Sequence, residues 1–205
     1  MTYIDLTHLF TKDMPVYPGD PNAELKQTAF FEKDGFNDFR IETNMHVGTH
    51  IDAPLHMIAG GKKICEYPPE KFIGRGHVID VRGKEIIGPE VLVDVSIAPG
   101  DIILFRSDFD KQYGDEAYFT KYPEISRALA ELLIERGVGM IGLDWASPDR
   151  MPYDTHKLLL GKDILIIENL TNFEKLPAQS PFRVLAFPLR LDTEAAPARV
   201  IAEIL

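Results

Sequence analysis

Three of the six histidines in this 205-residue chain fall within eleven residues, His46-Val-Gly-Thr-His50-Ile-Asp52-Ala-Pro-Leu-His56, together with one carboxylate. Neutral imidazole and carboxylate are standard ligands for divalent ions such as zinc and manganese. Mixed with small and apolar residues, they suit neither a plain core strand nor a solvated loop. They suit a metal site.

The spacing adds geometry. On a helix, at about 100° per residue, His46 and His50 share a face while Asp52 and His56 diverge from it. In an extended chain all four positions have one parity and face one side. A straight strand would spread them over about 33 Å, too far for one site. The chain must therefore bend. Gly48 is permissive in φ and Pro54 has its φ fixed, so both suit the bend. The expectation is a bent extended segment with its polar side chains on a concave face. A histidine pair four apart is by itself often a plain surface or core pair; four ligand-type groups of one parity favour metal. Parity does not separate the ligands from a group that does chemistry.

Several elements must position this cluster. Val16-Tyr-Pro-Gly-Asp-Pro21 reads as an ordered turn-rich loop. Residues 37–45 look extended and lead into the cluster. Val78–Val81 and Ile102–Phe105 are short apolar runs typical of buried strands. Pro123–Arg136 reads as a helix with Pro123 in its first turn, an apolar stripe of Ile125, Leu129, Leu132 and Leu133, and Gly137 as the stop. Val138–Leu143 reads as a buried strand ending at Asp144. Residues 153–160 look like a short helix closed by Gly161, and Ile164–Ile167 a strand with Glu168 at its end. The last strands fall near 182–189 and 198–204. This pattern gives a mixed α/β domain.

Glu168 has two readings of equal standing: a solvated strand end, or a buried carboxylate that needs a partner or a metal. His8 and His77 lie beside apolar runs and read as hydrogen-bonded structural histidines. His156 lies on the short helix. Cys65, the only cysteine, excludes an internal disulfide and reads as a buried structural thiol. Tyr17 reads first as a packing residue and second as a substrate contact.

The length fits one domain, residues 1–205, with a substantial core. The chain is 45% hydrophobic and 26% charged, ordinary for a soluble globular protein. No stretch is long and apolar enough to span a bilayer, and no secretory signal is apparent, so the expected setting is the cytoplasm. The net charge is −10, without a basic stripe, which excludes phosphate-driven binding to nucleic acid. Gly74-Arg75-Gly76 reads as a short turn and carries no phosphate-binding fingerprint.

The motif His46-x-Gly-Thr-His50-x-Asp52-x-Pro54-x-His56 resembles the signature of the metal-dependent cyclase family, which includes bacterial kynurenine formamidases and isatin hydrolases. Other landmarks follow in family order over nearly the whole chain. They are Asp5-Leu-Thr-His8, Pro15-Val-Tyr-Pro-Gly-Asp20, Gly142-Leu-Asp144, His156, Glu168-Asn-Leu170 and Phe187-Pro-Leu-Arg190. The resemblance implies a three-layer β/β/α sandwich, a homodimer or larger homo-oligomer, and an active site near a subunit interface. It implies that His46, His50 and Asp52 bind one metal, that Asp52 bridges to a second held by His156 and Glu168, and that His56 is catalytic. Three departures touch the substrate walls: Trp145-Ala146-Ser147, Asp192–Pro197, and Tyr17 where formamidases often carry Trp.

The implied chemistry is hydrolysis of a small amide, with zinc as the first expectation and manganese as the alternative. Two divalent ions carry four positive charges, and Asp52 and Glu168 return two negative ones. The remaining field lowers the pKa of a bound water toward about 7. His56, with an ordinary pKa near 6.5, suits the proton shuttle. The leading expectation is an arylformamidase-like enzyme. The alternatives are a cyclic amide or lactone hydrolase of the isatin type, and a metal- or small-ligand-binding protein without turnover.

Overall fold

The run Ile102-Ile-Leu-Phe105 shows how the strands divide the interior. In the computed structural model, which describes residues 2–177 and 180–205, this run lies in a strand whose side chains alternate between two apolar clusters. Ile103 and Phe105 join Ile141, Leu143, Ile166, Leu129 and Leu133 on one face. Ile102 and Leu104 join Met140, Leu165, Ile167 and Val184 on the other. Both faces are buried, so the strand reads as a continuous apolar run rather than an alternating one.

The strands, in chain order, are β1 (Thr2–Asp5), β2 (Glu24–Ala29), β3 (Asp38–Glu42), β4 (His50–Asp52), β5 (Ile73–Asp80), β6 (Ile86–Ile87), β7 (Ile102–Arg106), β8 (Glu124–Ile125), β9 (Met140–Leu143), β10 (Leu165–Glu168), β11 (Phe182–Pro188) and β12 (Ala195–Ile204). Among the described residues three α-helices accompany them: α1 (Phe31–Asp34), α2 (Arg127–Glu135) and α3 (Asp154–Leu160). The main sheet runs β1-β12-β11-β5-β7-β9-β10-β4, and β4 also pairs with β12. Seven strands thus close into a barrel-like ring, with β1 added on the outside of β12. Strands β5, β7, β9 and β10 are mutually parallel, and β4 runs antiparallel to both β10 and β12. Two two-stranded pairs, β2–β3 and β6–β8, lie outside the ring. This is an α/β fold dominated by its sheet.

β4 joins β10 to β12 and completes the ring. Its register sets Asp52 opposite Ile166 and Ala195, and His50 opposite Glu168 and Pro197. Ile51 points into the second apolar cluster, so His50 and Asp52 face the side that α2 and α3 cover. The bend expected after Asp52 is a 3-10 turn, Pro54–His56, started by Pro54.

Several sequence expectations change. Pro123 does not open the helix: Glu124 and Ile125 pair in parallel with Ile86 and Ile87, and α2 begins at Arg127. The Ser126 side chain accepts the Leu129 N–H at 3.2 Å, a cap that a strand-to-helix junction allows there. Gly74-Arg75-Gly76 is no turn but lies within β5, and a Cβ at Gly76 would meet the Phe182 ring at 2.0 Å. Cys65 is only half-buried, with Sγ 3.6 Å from an Asp192 oxygen, because its neighbour Ile64 takes the core position. His77 is hydrogen-bonded as expected, 2.7 Å from Asp101. His8 is not: its ring stacks on Tyr113 at 3.8 Å, and its buried Nε2 has no partner. Burial lowers its pKa to about 4 despite nearby Asp110.

Asp144, at the end of β9, holds the loop that follows β7. Its carboxylate accepts the Ser107 N–H (2.9 Å), the Ser107 hydroxyl (2.5 Å) and the Asp108 N–H (2.8 Å). Burial nevertheless raises its pKa to about 7 against those hydrogen bonds. Asp144→Ala strands these donors at roughly 1–3 kcal/mol each. The expected outcome is a clearly lower urea midpoint, and a midpoint equal to that of the parent protein would contradict the clamp.

Candidate metal centre

Four short elements converge on one point. His46 sits in the turn before β4, His50 and Asp52 on β4, Glu168 at the end of β10, and His156 on α3. Gly48 makes the turn with a φ of +69°, and a Cβ there would meet Met14 Cε at 2.6 Å. Its carbonyl accepts from the Asn169 side chain at 2.9 Å, which fixes the turn against β10.

The distances between donor atoms suit a metal. His46 Nδ1 lies 3.0 Å from Asp52 Oδ1 and 3.2 Å from His50 Nε2, and His50 Nε2 lies 3.4 Å from the same Asp52 oxygen. Zinc–ligand bonds near 2.0–2.1 Å place the corners of a tetrahedron about 3.3 Å apart. These three atoms therefore form one face of such a tetrahedron. On the other side of Asp52, His156 Nε2 lies 3.8 Å from Oδ2 and 3.3 Å from Glu168 Oε1. Glu168 Oε2 lies 3.3 Å from His50 Nε2. The other four expected ligands are thus gathered around Asp52.

The carboxylates lack other partners. Asp52 is fully buried, and among the described residues neither of its oxygens receives an aligned hydrogen bond; Glu168 Oε1 is in the same state. Imidazole nitrogens approach these carboxylate oxygens without hydrogen-bond geometry, as ligands of a shared ion would. A buried carboxylate in that state is strongly disfavoured unless a cation faces it. The donor set, its edge lengths and its unsatisfied oxygens together fit divalent cations.

Electrostatics point the same way. Burial alone would lower the His50 pKa, but the facing carboxylates of Asp52 and Glu168 outweigh it and raise the value to about 10. His156 is likewise raised well above its ordinary value, as Asp149, Asp52 and Glu168 overcome burial. Burial would raise Asp52, yet His46 and His50 hold it well below the usual carboxylate range. Without metal, protons supply the positive charge this pocket requires.

Two histidines are oriented by their far nitrogens. His50 Nδ1 donates to the Gly48 carbonyl at 2.8 Å, and His156 Nδ1 donates to Asp149 at 2.7 Å. In each case Nε2 is the nitrogen that faces Asp52 and Glu168, so a ring that gives up its proton there presents the lone pair a ligand needs. Asp149 is buried, and its other oxygen accepts the Thr155 N–H at 2.7 Å. Sequence reasoning missed Asp149. The signal available was a carboxylate seven residues before a candidate histidine ligand.

His56 lies over the centre, its ring 4.2 Å from that of His46 and 5.8 Å from that of His156. One of its nitrogens falls within 4.8 Å of donor atoms of both His46 and Asp52. Burial lowers its pKa, against the pull of Asp52. The centre opens into a cleft of about 300 Å³ whose walls include Tyr17, Phe119, Met57, Tyr153, Ser147 and Asn169. Tyr17 thus reaches the cleft and packs edge-on against Phe119. Trp145 does not: it is fully buried in the helix-side core and donates to the Ser147 carbonyl at 2.6 Å. The cleft wall is made by Ala146 and Ser147 instead.

Metal and protons must compete for these rings. At pH 7 the raised His50 pKa means that zinc uptake by the metal-free protein releases protons, and that affinity falls on acidification. Calorimetry in buffers of different ionisation enthalpy reads the proton count directly. Zero release at pH 7 would contradict this arrangement. Asp149→Ala is expected to weaken zinc about 10–100-fold, measured by chelator competition.

Comparison with known proteins agrees with this geometry. Residues 4–150 match the model of the family described as "Putative cyclase". A kynurenine formamidase of Bacillus cereus is 28% identical over 207 residues, covering 97% of this chain and 96% of that protein. The solved structure of a potential metal-dependent hydrolase with cyclase activity superposes with a TM-score of 0.82 at 29% identity, over 98% of this chain and 96% of that one. Isatin hydrolase A from Labrenzia aggregata, solved with benzyl benzoate bound, superposes with a TM-score of 0.87 at 25% identity, over 98% of this chain and 93% of that one. The family model covers well over half of the sequence, and the chain belongs to the putative cyclase family.

Proposed function

We propose that this protein is a metal-dependent hydrolase of small amides, of the arylformamidase type, acting on N-formylkynurenine or a close analogue. The observation that carries the proposal is the convergence of His46, His50 and Asp52 at tetrahedral spacing beside His56, a histidine neither ligand group needs. The kynurenine formamidase relative supports the substrate class. In this reading His46, His50 and Asp52 hold one divalent ion, and Asp52, His156 and Glu168 hold a second. Zinc is the first choice for both, and manganese accepts the same donors.

Bound ions would polarise the substrate carbonyl and lower the pKa of a water toward about 7. The remaining work falls to the chain. His56, kept neutral near pH 7 by burial, takes a proton from the attacking water and delivers it to the leaving nitrogen. A C–O bond forms as the C–N bond breaks, giving formate and an aryl amine. Asp149 and the Gly48 carbonyl keep the imidazoles in register. Tyr17 and Phe119 offer an aromatic wall to the substrate ring.

The proposal extends to the architecture. One hydrolase domain spans residues 1–205, its ring flattened into two β layers with α2 and α3 as the third. Two apolar clusters on opposite faces of the central strands support that layering. A homodimer is proposed as well. The β2–β3 pair and its connection carry Phe30, Phe31, Phe36, Phe39 and Ile41 exposed, a patch of the kind that marks partner surfaces. No helix among the described residues is long and apolar enough to cross a membrane. We place the enzyme in the cytoplasm, in keeping with its single cysteine.

The likeness to isatin hydrolase A favours a second reading, hydrolysis of a cyclic amide by the same centre. Formate release from N-formylkynurenine, and ring opening of isatin, by metal-stripped protein with zinc or manganese restored, separate the two. Metal-dependent formate release is expected. Silence toward the formamide with both ions bound would retire the formamidase reading. His56→Ala is expected to retain full metal and lose about 10²–10⁴ in turnover. Undiminished turnover would remove the proton shuttle.

A further inference from the structure

His50 and His156 each hydrogen-bond an oxygen through the ring nitrogen that faces away from the centre, and His46 has a carboxylate oxygen near its own far nitrogen. Its Nε2 lies 3.4 Å from Glu194 Oε1, while Nδ1 faces Asp52 and His50. We propose that Glu194 is a positioning residue: its carboxylate holds His46 in the tautomer that turns the Nδ1 lone pair toward the metal. The inference rests on His46 being a ligand, as proposed above.

The backbone around Glu194 is built for this. Its carbonyl accepts the Ala53 N–H at 2.8 Å, and the next residue, Ala195, pairs directly with Asp52. Thr193 braces the turn, its hydroxyl donating to the Ala195 carbonyl at 2.6 Å and its carbonyl accepting the Ile64 N–H at 3.0 Å. Glu194 is therefore fixed to the strand that carries the bridging carboxylate. Its position relative to His46 is set by the β4–β12 ladder and not by a free loop. Among the described residues no Lys or Arg pairs with the Glu194 side chain, and His46 is its one ion-pair partner.

A carboxylate on the far nitrogen fixes the ring and raises its basicity as a ligand, and losing it typically costs about 10–100-fold in metal affinity. Glu194 lies within the Asp192–Pro197 stretch that departs from the usual family pattern. Its side chain is about one-third exposed, at 35%. The His46 ligand is therefore the one of the three whose orientation depends on a group open to solvent.

The test measures zinc affinity by chelator competition and zinc stoichiometry for Glu194→Ala, Glu194→Gln, Asp192→Asn and His46→Ala. The ring-nitrogen chemical shifts of His46 in the zinc-loaded protein are recorded alongside. Asp192 supplies a charge control two residues away, paired with Lys63. Expected results are a 10–100-fold weaker affinity for Glu194→Ala, recovery of most of it in Glu194→Gln, whose amide oxygen is also an acceptor for Nε2, and no change for Asp192→Asn. The shifts should report a protonated Nε2 in the parent and in the Gln variant.

Unchanged affinity in Glu194→Ala would overturn the inference. So would equal losses in the Ala, Gln and Asp192→Asn proteins, which would mean bulk charge. Loss of one whole zinc equivalent in Glu194→Ala would overturn it too, making Glu194 a ligand. Should Glu194→Ala not fold, the Gln affinity and the His46 shifts decide alone. His46→Ala separates this inference from the reading beneath it. Undiminished zinc binding there removes the metal assignment, whereas a loss there with none in Glu194→Ala removes only the positioning role.

Discussion

The structure is organised around one buried carboxylate that has nothing to hydrogen-bond with. Asp52 is fully enclosed, and both of its oxygens lack an aligned donor. A charge in that position is tolerated only when positive charge faces it closely. His50 and His156, whose pKa values the facing carboxylates raise, supply that charge as imidazolium ions without metal. The strand that carries Asp52 is also the strand that closes the ring, paired on one side with β10 and on the other with β12. Backbone satisfaction and side-chain frustration thus coincide on three residues. The ladder holds the frustrated group still, and rigidity of that kind is what a metal site of fixed geometry needs.

That placement also explains why the remaining groups come from distant parts of the sequence. The register of β4 on β10 brings Glu168 opposite His50. α3 packs on the same face as His50 and Asp52 and brings His156 in from above, with Asp149 behind it. The cleft wall then follows from what remains at the rim. Tyr17 comes from the proline-rich loop, Phe119 from the segment after β7, and Ser147 from the turn after β9. The position of that last turn depends on Trp145, which is buried beneath it and hydrogen-bonded to its backbone.

Much of the centre was legible because it is local. Four ligand-type groups of one parity, a permissive glycine and a fixed proline are written into eleven residues, and His50 and Asp52 do share a strand face. Glu168 could be flagged because four apolar residues precede it. Residues defined by pairing across the fold were not legible in the same way. Asp149 and Glu194 matter only once α3 and β12 are in place; the spacing of Asp149 from His156 is a weak local sign, and Glu194 has none. The early start of β5 was hidden by Gly74 and Gly76, which look like turn residues until the Phe182 ring is seen against them. The parallel pairing of β6 and β8 hid the true start of α2, since helical periodicity runs through Ile125 whether or not the chain is helical there. Ring closure through β12 is a long-range register that no local pattern encodes.

The central claim is that Asp52 is shared by two ions. Anomalous diffraction at the zinc edge, from crystals of the zinc-loaded protein, tests it most directly. Two peaks per chain are predicted, each in contact with a different oxygen of Asp52, one beside His46 and His50 and the other beside His156 and Glu168. A single peak, or a pair of which either lies away from Asp52, would contradict the account.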